Sequence, residues 1–152
     1  MDRINVLFVC CGNICRSPMG EFILKDLVRK KGLEESFHIE SAGTSREELG
    51  NPVYYAAREK LKENGIDCFG KVARQIVPED YNKFDYILGM ENSNVRDMIR
   101  VFGDDKDNKV YRLLDFIETP GDIEDPWYTR NFDKVYEQIR MGCESFLKSV
   151  LK

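Results

Sequence analysis

Cys10 and Arg16 frame the run Cys10-Cys11-Gly12-Asn13-Ile14-Cys15-Arg16, and Ser17-Pro18 follows at once. A cysteine becomes a nucleophile where nearby donors and positive charge favour its anion. An arginine six residues later offers a planar fork suited to two oxygens of one phosphoryl group. The pair therefore describes a phosphate site with a thiolate inside it. Such a site needs a sharp junction to hold it. Ile4-Asn5-Val6-Leu7-Phe8-Val9, just before, is mostly apolar and β-branched and reads as a buried parallel strand. After the run the spacing turns helical, with Pro18 near the helix start. The junction brings together backbone N–H groups that lack intrahelical partners and the positive end of a helix dipole, which makes an anion cradle.

Each residue of the cradle then has a reading. Cys10 is the nucleophile, ringed by N–H groups from residues 11 to 16, and Cys11, Gly12, Asn13, Ile14, Cys15, Arg16 and Ser17 form the phosphate-binding loop. These donors would also hold the equatorial oxygens of a phosphoryl group during transfer. Ser17 Oγ is placed to donate to the thiolate, and the Asn13 amide to tie a strained turn. A nucleotide loop of the Walker type would need more glycines and a closing Gly-Lys-Ser/Thr, which this run lacks. Structural zinc would need a fourth ligand at recognisable spacing, and the remaining cysteines, Cys68 and Cys143, are isolated. Cys143 lies on an apolar helical stripe and reads as core; Cys68 reads as a turn or strand start.

Attack on a phosphate ester leaves an oxyanion that needs a proton. Asp125, in Glu124-Asp125-Pro126-Trp127-Tyr128, fits an acid carried on a movable loop, because the proline restricts the residue before it. Asp122 and Glu124 compete for the role on composition alone. Trp127 and Tyr128 are either core residues or walls for an aromatic substrate.

The chain has 152 residues, which favours a single domain over 1–152 with a usable core. A formal net charge of -4 argues against a nucleic-acid binder held by phosphate contacts. No apolar run approaches a membrane span and no signal-peptide pattern opens the chain, so a cytoplasmic monomer is the default expectation. Five cysteines, an odd number, do not read as a disulfide framework.

Strands are expected at 4–9, 37–42, 84–90 and 110–114. Helices are expected at 17–31, from Asn51-Pro52 to about Asn64-Gly65, at 91–102 with Ser93 or Asn92 as cap, and at 132–150. Inward positions are Phe22, Ile23, Leu27 and Val28 on the first helix. On the later helices they are Val53, Ala57 and Leu61, then Val95, Met98 and Ile99, then a stripe from Phe132 to Val150. Residues 66–80 read as irregular and 115–131 as a long acidic loop. Alternating strands and helices imply an α/β fold, a three-layer sandwich on a parallel sheet. Ligands in such sheets bind beyond the strand carboxyl ends, so loops 41–51, 89–94 and 115–131 should border the cradle.

The chain resembles the low-molecular-weight protein tyrosine phosphatases. The resemblance rests on Val9-Cys10, Gly12-Asn13-Ile14-Cys15-Arg16-Ser17-Pro18 and Glu21; on Ser41-Ala42-Gly43-Thr44-Ser45 with Gly50-Asn51-Pro52; on Ala73-Arg74-Gln75-Ile76 with Phe84-Asp85-Tyr86-Ile87-Leu88; and on Asp125-Pro126-Trp127-Tyr128. It implies a four-stranded parallel sheet of order 2-1-3-4, with the phosphate-binding loop after strand 1. It implies hydrolysis of protein phosphotyrosine and small aryl phosphates through a phosphocysteine on Cys10. Arg16 would bind the phosphoryl group, and Asp125 would serve as acid and then as base. Asn13, Ser17 and Ser41 would support the loop, and Cys15 would be a reversible disulfide partner that shields Cys10 from irreversible oxidation. It implies phosphotyrosine proteins or peptides as partners, and no metal or other cofactor. Departures are Cys11 on the rim, Glu47 where many relatives have an aromatic wall, with Glu48 beside it, and Lys71 near a position where vertebrate relatives carry a histidine tied to the loop. The two glutamates imply an open, acidic substrate rim, completed by Cys11, Trp127 and Tyr128, that would disfavour acidic phosphopeptides. Arsenate reduction, run on the same architecture, would need a relay pair near residues 75–95, where there is no cysteine. A non-catalytic phosphotyrosine-binding module is the third reading.

Overall fold

The computed structural model describes residues 2–152. Four strands form one parallel sheet: β1 (Ile4–Cys10), β2 (Phe37–Gly43), β3 (Tyr86–Gly89) and β4 (Val110–Arg112), in the order β2-β1-β3-β4. The helices are α1 (Arg16–Lys30), α2 (Tyr55–Glu63), α3 (Asp80–Lys83), α4 (Asn92–Phe102), α5 (Pro126–Thr129) and α6 (Phe132–Val150). Short 3-10 turns span Glu34–Ser36 and Leu113–Phe116.

The pleat of β1 explains the layering. Alternate side chains of a strand point to opposite faces. Val6, Phe8 and Cys10 enter a core built with α1, α2 and α6, while Leu7 and Val9 enter a second core with Ile87, Phe84 and Met98. Because both faces are covered, β1 reads as an unbroken apolar run, and it sits in the middle of the sheet. Helix α1 packs close: a Cβ on Gly20 would lie 2.6 Å from the Phe8 ring. Any larger residue there would push α1, and the loop before it, off β1. Cys143 is fully buried, and burial pushes its thiol pKa up; Cys68 is buried too.

Several local expectations need correction. Asn51-Pro52 does not start a helix; Pro52 bridges to Val72 in extended chain, and α2 begins at Tyr55. The cap of α4 is Glu91, which forms a capping box with Asn94, in place of Asn92 or Ser93. Phe22 and Leu27 are only partly buried and Ile99 is exposed, whereas Leu24 is core. Residues 80–83 form a one-turn helix, and Leu113 and Leu114 leave the sheet for a 3-10 turn.

A charge cluster steadies the outer edge of β2. Glu40 lies 2.5 Å from His38 Nε2 and 3.1 Å from Lys83 Nζ, and accepts from Arg74 Nη2 at 3.3 Å. Burial pushes the Glu40 pKa up, but the bonds from His38 and Lys83 and the Lys83 and Arg74 charges outweigh it and hold it at about 2. A carboxyl depressed from an ordinary 4.5 adds stability above that value, and the contribution is lost as pH falls through about 2. Allowing for partial solvent screening, Glu40→Gln should cost about 1–2 kcal/mol at pH 7. Urea unfolding at a series of pH values checks this: the gap to wild type should close below pH 4.5. A gap that is constant with pH would assign the loss to packing instead.

Candidate active site

The loop after β1 is a cup. Asn13 adopts a left-handed backbone (φ 59°), a conformation asparagine tolerates better than most residues. Its side chain ties the turn together: Oδ1 accepts from Arg74 N at 3.1 Å, and Nδ2 donates to Ser17 Oγ at 2.8 Å and to Ser41 Oγ at 3.0 Å. The β2 end closes on the cup, with Thr44 N donating to Cys10 O and Ser45 N to Cys11 O. Gly43 permits that approach, because a Cβ there would sit 2.7 Å from Cys11 O.

Cys10 Sγ lies at the floor of the cup, 3.0 Å from Ser17 Oγ and 3.3 Å from Asn13 N, which donates to it. The direction of the Ser17 bond follows from its neighbours. Glu21 Oε1 accepts from Ser41 Oγ at 2.6 Å, so Ser41 offers its lone pair to Asn13 Nδ2. Asn13 Nδ2 spends its other hydrogen on Ser17 Oγ, which leaves the Ser17 hydroxyl hydrogen for the sulfur. The series thus ends with donors aimed at Cys10, which suits an anion. Asn13, Ser17, Ser41 and Glu21 are all buried. Lys71 anchors the far end, donating to Ser41 O at 2.8 Å and standing 3.4 Å from Glu21 Oε1. Burial lowers the Lys71 pKa, against the opposing pull of Glu21. Lys71 therefore does not break the supporting network; it is part of it.

Arg16 opens α1 and is buried. Nη1 donates to Ile123 O at 2.9 Å and pairs with Glu91 Oε2 at 2.5 Å, and Nη2 stands 3.6 Å from Asp125 Oδ2. Burial works against its charge, but Cys10, Glu91 and Asp125 more than offset this and raise its pKa. Sequence alone does not mark Glu91 as a functional residue. Its loop, 89–94, borders the cradle as the α/β topology predicts, but nothing local marks a carboxylate as partner to an arginine on another element. At Cys15, burial, then the negative charges at Cys10, Asp125 and Glu48, outweigh Arg16 and push the pKa up to about 12. It is a thiol at neutral pH.

A cleft of about 250 Å³ opens above the cup, lined by every residue of the 10–16 loop except Asn13, together with Glu47, Glu48, Asp125, Trp127 and Tyr128. Asn13, Ser17 and Ser41 lie beneath it as supports. Among the described residues, the backbone N–H groups of Gly12, Ile14 and Cys15 have no protein acceptor and are available to an anion. The competing acids are held elsewhere: Asp122 accepts from Asn92 N and Arg112 Nη1, and Glu124 pairs with Lys134 at 2.9 Å. Asp125 lines the cleft, with Oδ1 capping α5 through Trp127 N at 3.0 Å. Trp127 and Tyr128 are exposed walls rather than core. A larger groove between α1 and β2 holds no nucleophile, and its Lys25, Asp26 and Arg29 are paired within it or with Glu21.

Residues 5–152 match the family model described as low molecular weight phosphotyrosine protein phosphatase. The chain belongs to this family. It is 43% identical over 151 residues to the low molecular weight protein-tyrosine-phosphatase YfkJ of Bacillus subtilis, covering 98% of this chain and 97% of that one. It is 42% identical to the human low molecular weight phosphotyrosine protein phosphatase, covering 95% and 94%. The crystal structure of YfkJ superposes with a TM-score of 0.96, covering 99% of this chain and 96% of that one. This family member is a metal-independent cysteine phosphatase that hydrolyses phosphotyrosine through a phosphocysteine. Cys68 and Cys143 are buried and neither lines the cleft, so neither is placed for the relay that arsenate reduction needs.

Proposed function

We propose that the chain acts as one domain on phosphotyrosine in proteins or peptides, with the following division of labour. Cys10 Sγ attacks phosphorus, forming the S–P bond as the P–O bond to the tyrosyl oxygen breaks. Arg16 and the loop N–H groups hold the equatorial oxygens as charge shifts. Asp125 gives its proton to the departing oxygen. It then takes a proton from the water that attacks the phosphocysteine, and the thiolate is released with inorganic phosphate. Oxidation of Cys10 would be resolved by the Cys15 thiol as a disulfide. A reducing cytoplasm suits a chemistry that needs Cys10 as a free thiol, as it is here, and no described helix is long and apolar enough to cross a membrane.

The observation that carries the assignment is the convergence of Cys10, Arg16 and the Asp125 carboxylate on one cleft. Rapid quench with labelled phosphotyrosine peptide should trap phosphate on Cys10, and turnover without a trapped adduct would overturn the covalent route. The acid has its own test. Asp125→Ala should slow hydrolysis of phenyl phosphate by about 10²–10³-fold, and slow a substrate with a good leaving group such as p-nitrophenyl phosphate far less. Equal loss on both would mean that Asp125 only shapes the loop.

A further inference from the structure

Once phosphate is bound, the cleft has no positive charge left over. Among its lining residues Arg16 is the only cation; it faces the phosphoryl site and is already paired with Glu91. The rest of the charged lining is Glu47, Glu48 and Asp125. Glu48 is fixed in place: Asn51 Nδ2 donates to Oε2 at 2.7 Å, and its stem lies against Gly12, with Cγ 3.4 Å from where a Cβ would sit. Its charge is felt inside the cup, where it helps raise the Cys15 pKa. Glu47 beside it is exposed. Two other cations are near the mouth without lining it. Arg130 is stacked 5.5 Å from the Trp127 ring centroid and reaches Tyr54 OH, and Arg46 is exposed outside the lining.

From this we infer that Glu47 and Glu48 select phosphotyrosines flanked by lysine or arginine. The inference rests on the phosphotyrosine activity above and specifies its substrate class. A tyrosyl phosphate deep enough to reach Cys10 brings its neighbouring residues to the rim. There a flanking cation meets two carboxylates, one of them pre-positioned, while a flanking acid meets like charge, with Arg130 stacked on Trp127 and Arg46 outside the lining. Discrimination by such rim charges works by repelling the wrong partner as much as by attracting the right one, and it weakens with salt.

The test uses two phosphotyrosine peptides of equal length, differing only in lysine or glutamate at the two positions on either side. Wild-type kcat/KM should favour the basic peptide by about tenfold at low salt, and the ratio should fall toward one at high salt. Glu47→Gln/Glu48→Gln should bring the low-salt ratio near one, and Glu47→Lys/Glu48→Lys should invert it. Glu34→Gln/Glu35→Gln makes the same charge change before β2, at the amino end of the strands and away from the cleft, and should leave the ratio intact. A wild-type ratio near one overturns the inference. So does a ratio that survives loss of both rim acids, or one that falls equally in the control pair, since net charge rather than the rim would then be responsible. In each case trapped phosphocysteine from both peptides would show the phosphatase assignment still standing.

Discussion

Cys10→Ser is expected to lower kcat for p-nitrophenyl phosphate by at least about 10⁴-fold, since removing a nucleophile from a cooperating set costs on that scale. The serine hydroxyl would sit among the same donors, but it stays protonated at neutral pH, and no base stands beside it. Its neighbours Ser17 and Asn13 N are donors to the sulfur, not acceptors. The substitution is small and the site is polar on one side, so the fold should persist. Thermal unfolding and phosphate affinity serve as the controls. Binding kept with turnover lost places the defect in the chemical step. Turnover within tenfold of wild type would remove Cys10 from its role.

Arg16→Lys should lower kcat/KM by about 10³-fold, although the charge is kept. Arginine here serves three acceptors at once: Ile123 O, the Glu91 carboxylate and, across the cleft, the phosphoryl group near Asp125. A single ammonium on a flexible stem cannot fork in this way. It would settle on Glu91 and present nothing planar to the substrate. Both kcat and KM should worsen, because the fork contacts the phosphoryl group before and during transfer. A loss confined to KM would mean that Arg16 only binds. Stability measured alongside separates the chemical loss from the cost of disturbing the partly buried Arg16–Glu91 pair.

The fold was legible where periodicity reports burial. Val6 to Val9 announced a central strand because both of its faces are covered, and the stripe on α6 announced a helix against the sheet. The failures fall where tertiary pairing overrides local preference. Pro52 looked like a helix opener, but the chain there is spent on a bridge to Val72 and on Tyr54 N, which donates to Ile14 O under the phosphate loop. Ile99 keeps helical spacing but is exposed, while Met98 beside it takes the core position. At the site, the cup and its nucleophile were local and therefore readable. Glu91 and Lys71 were not, since each acquires its role only when a separate segment is folded against the loop. Composition alone leaves Asp122, Asp125 and Glu124 open; the Asp125-Pro126 pair and the family resemblance point to Asp125, and the hydrogen bonds hold the other two away from the cleft.

The Arg16–Ile123 bond joins residues 107 apart in the chain. A ribosome would therefore deliver the nucleophile and its loop long before the acid or the carbonyl that steadies the arginine. A nascent chain ending near residue 110 would lack both the acid and α6, which completes the core beneath the loop, and would be no working catalyst. Onset of turnover during synthesis therefore dates the arrival of the C-terminal segment, and the enzyme's own product release serves as a clock for its completion.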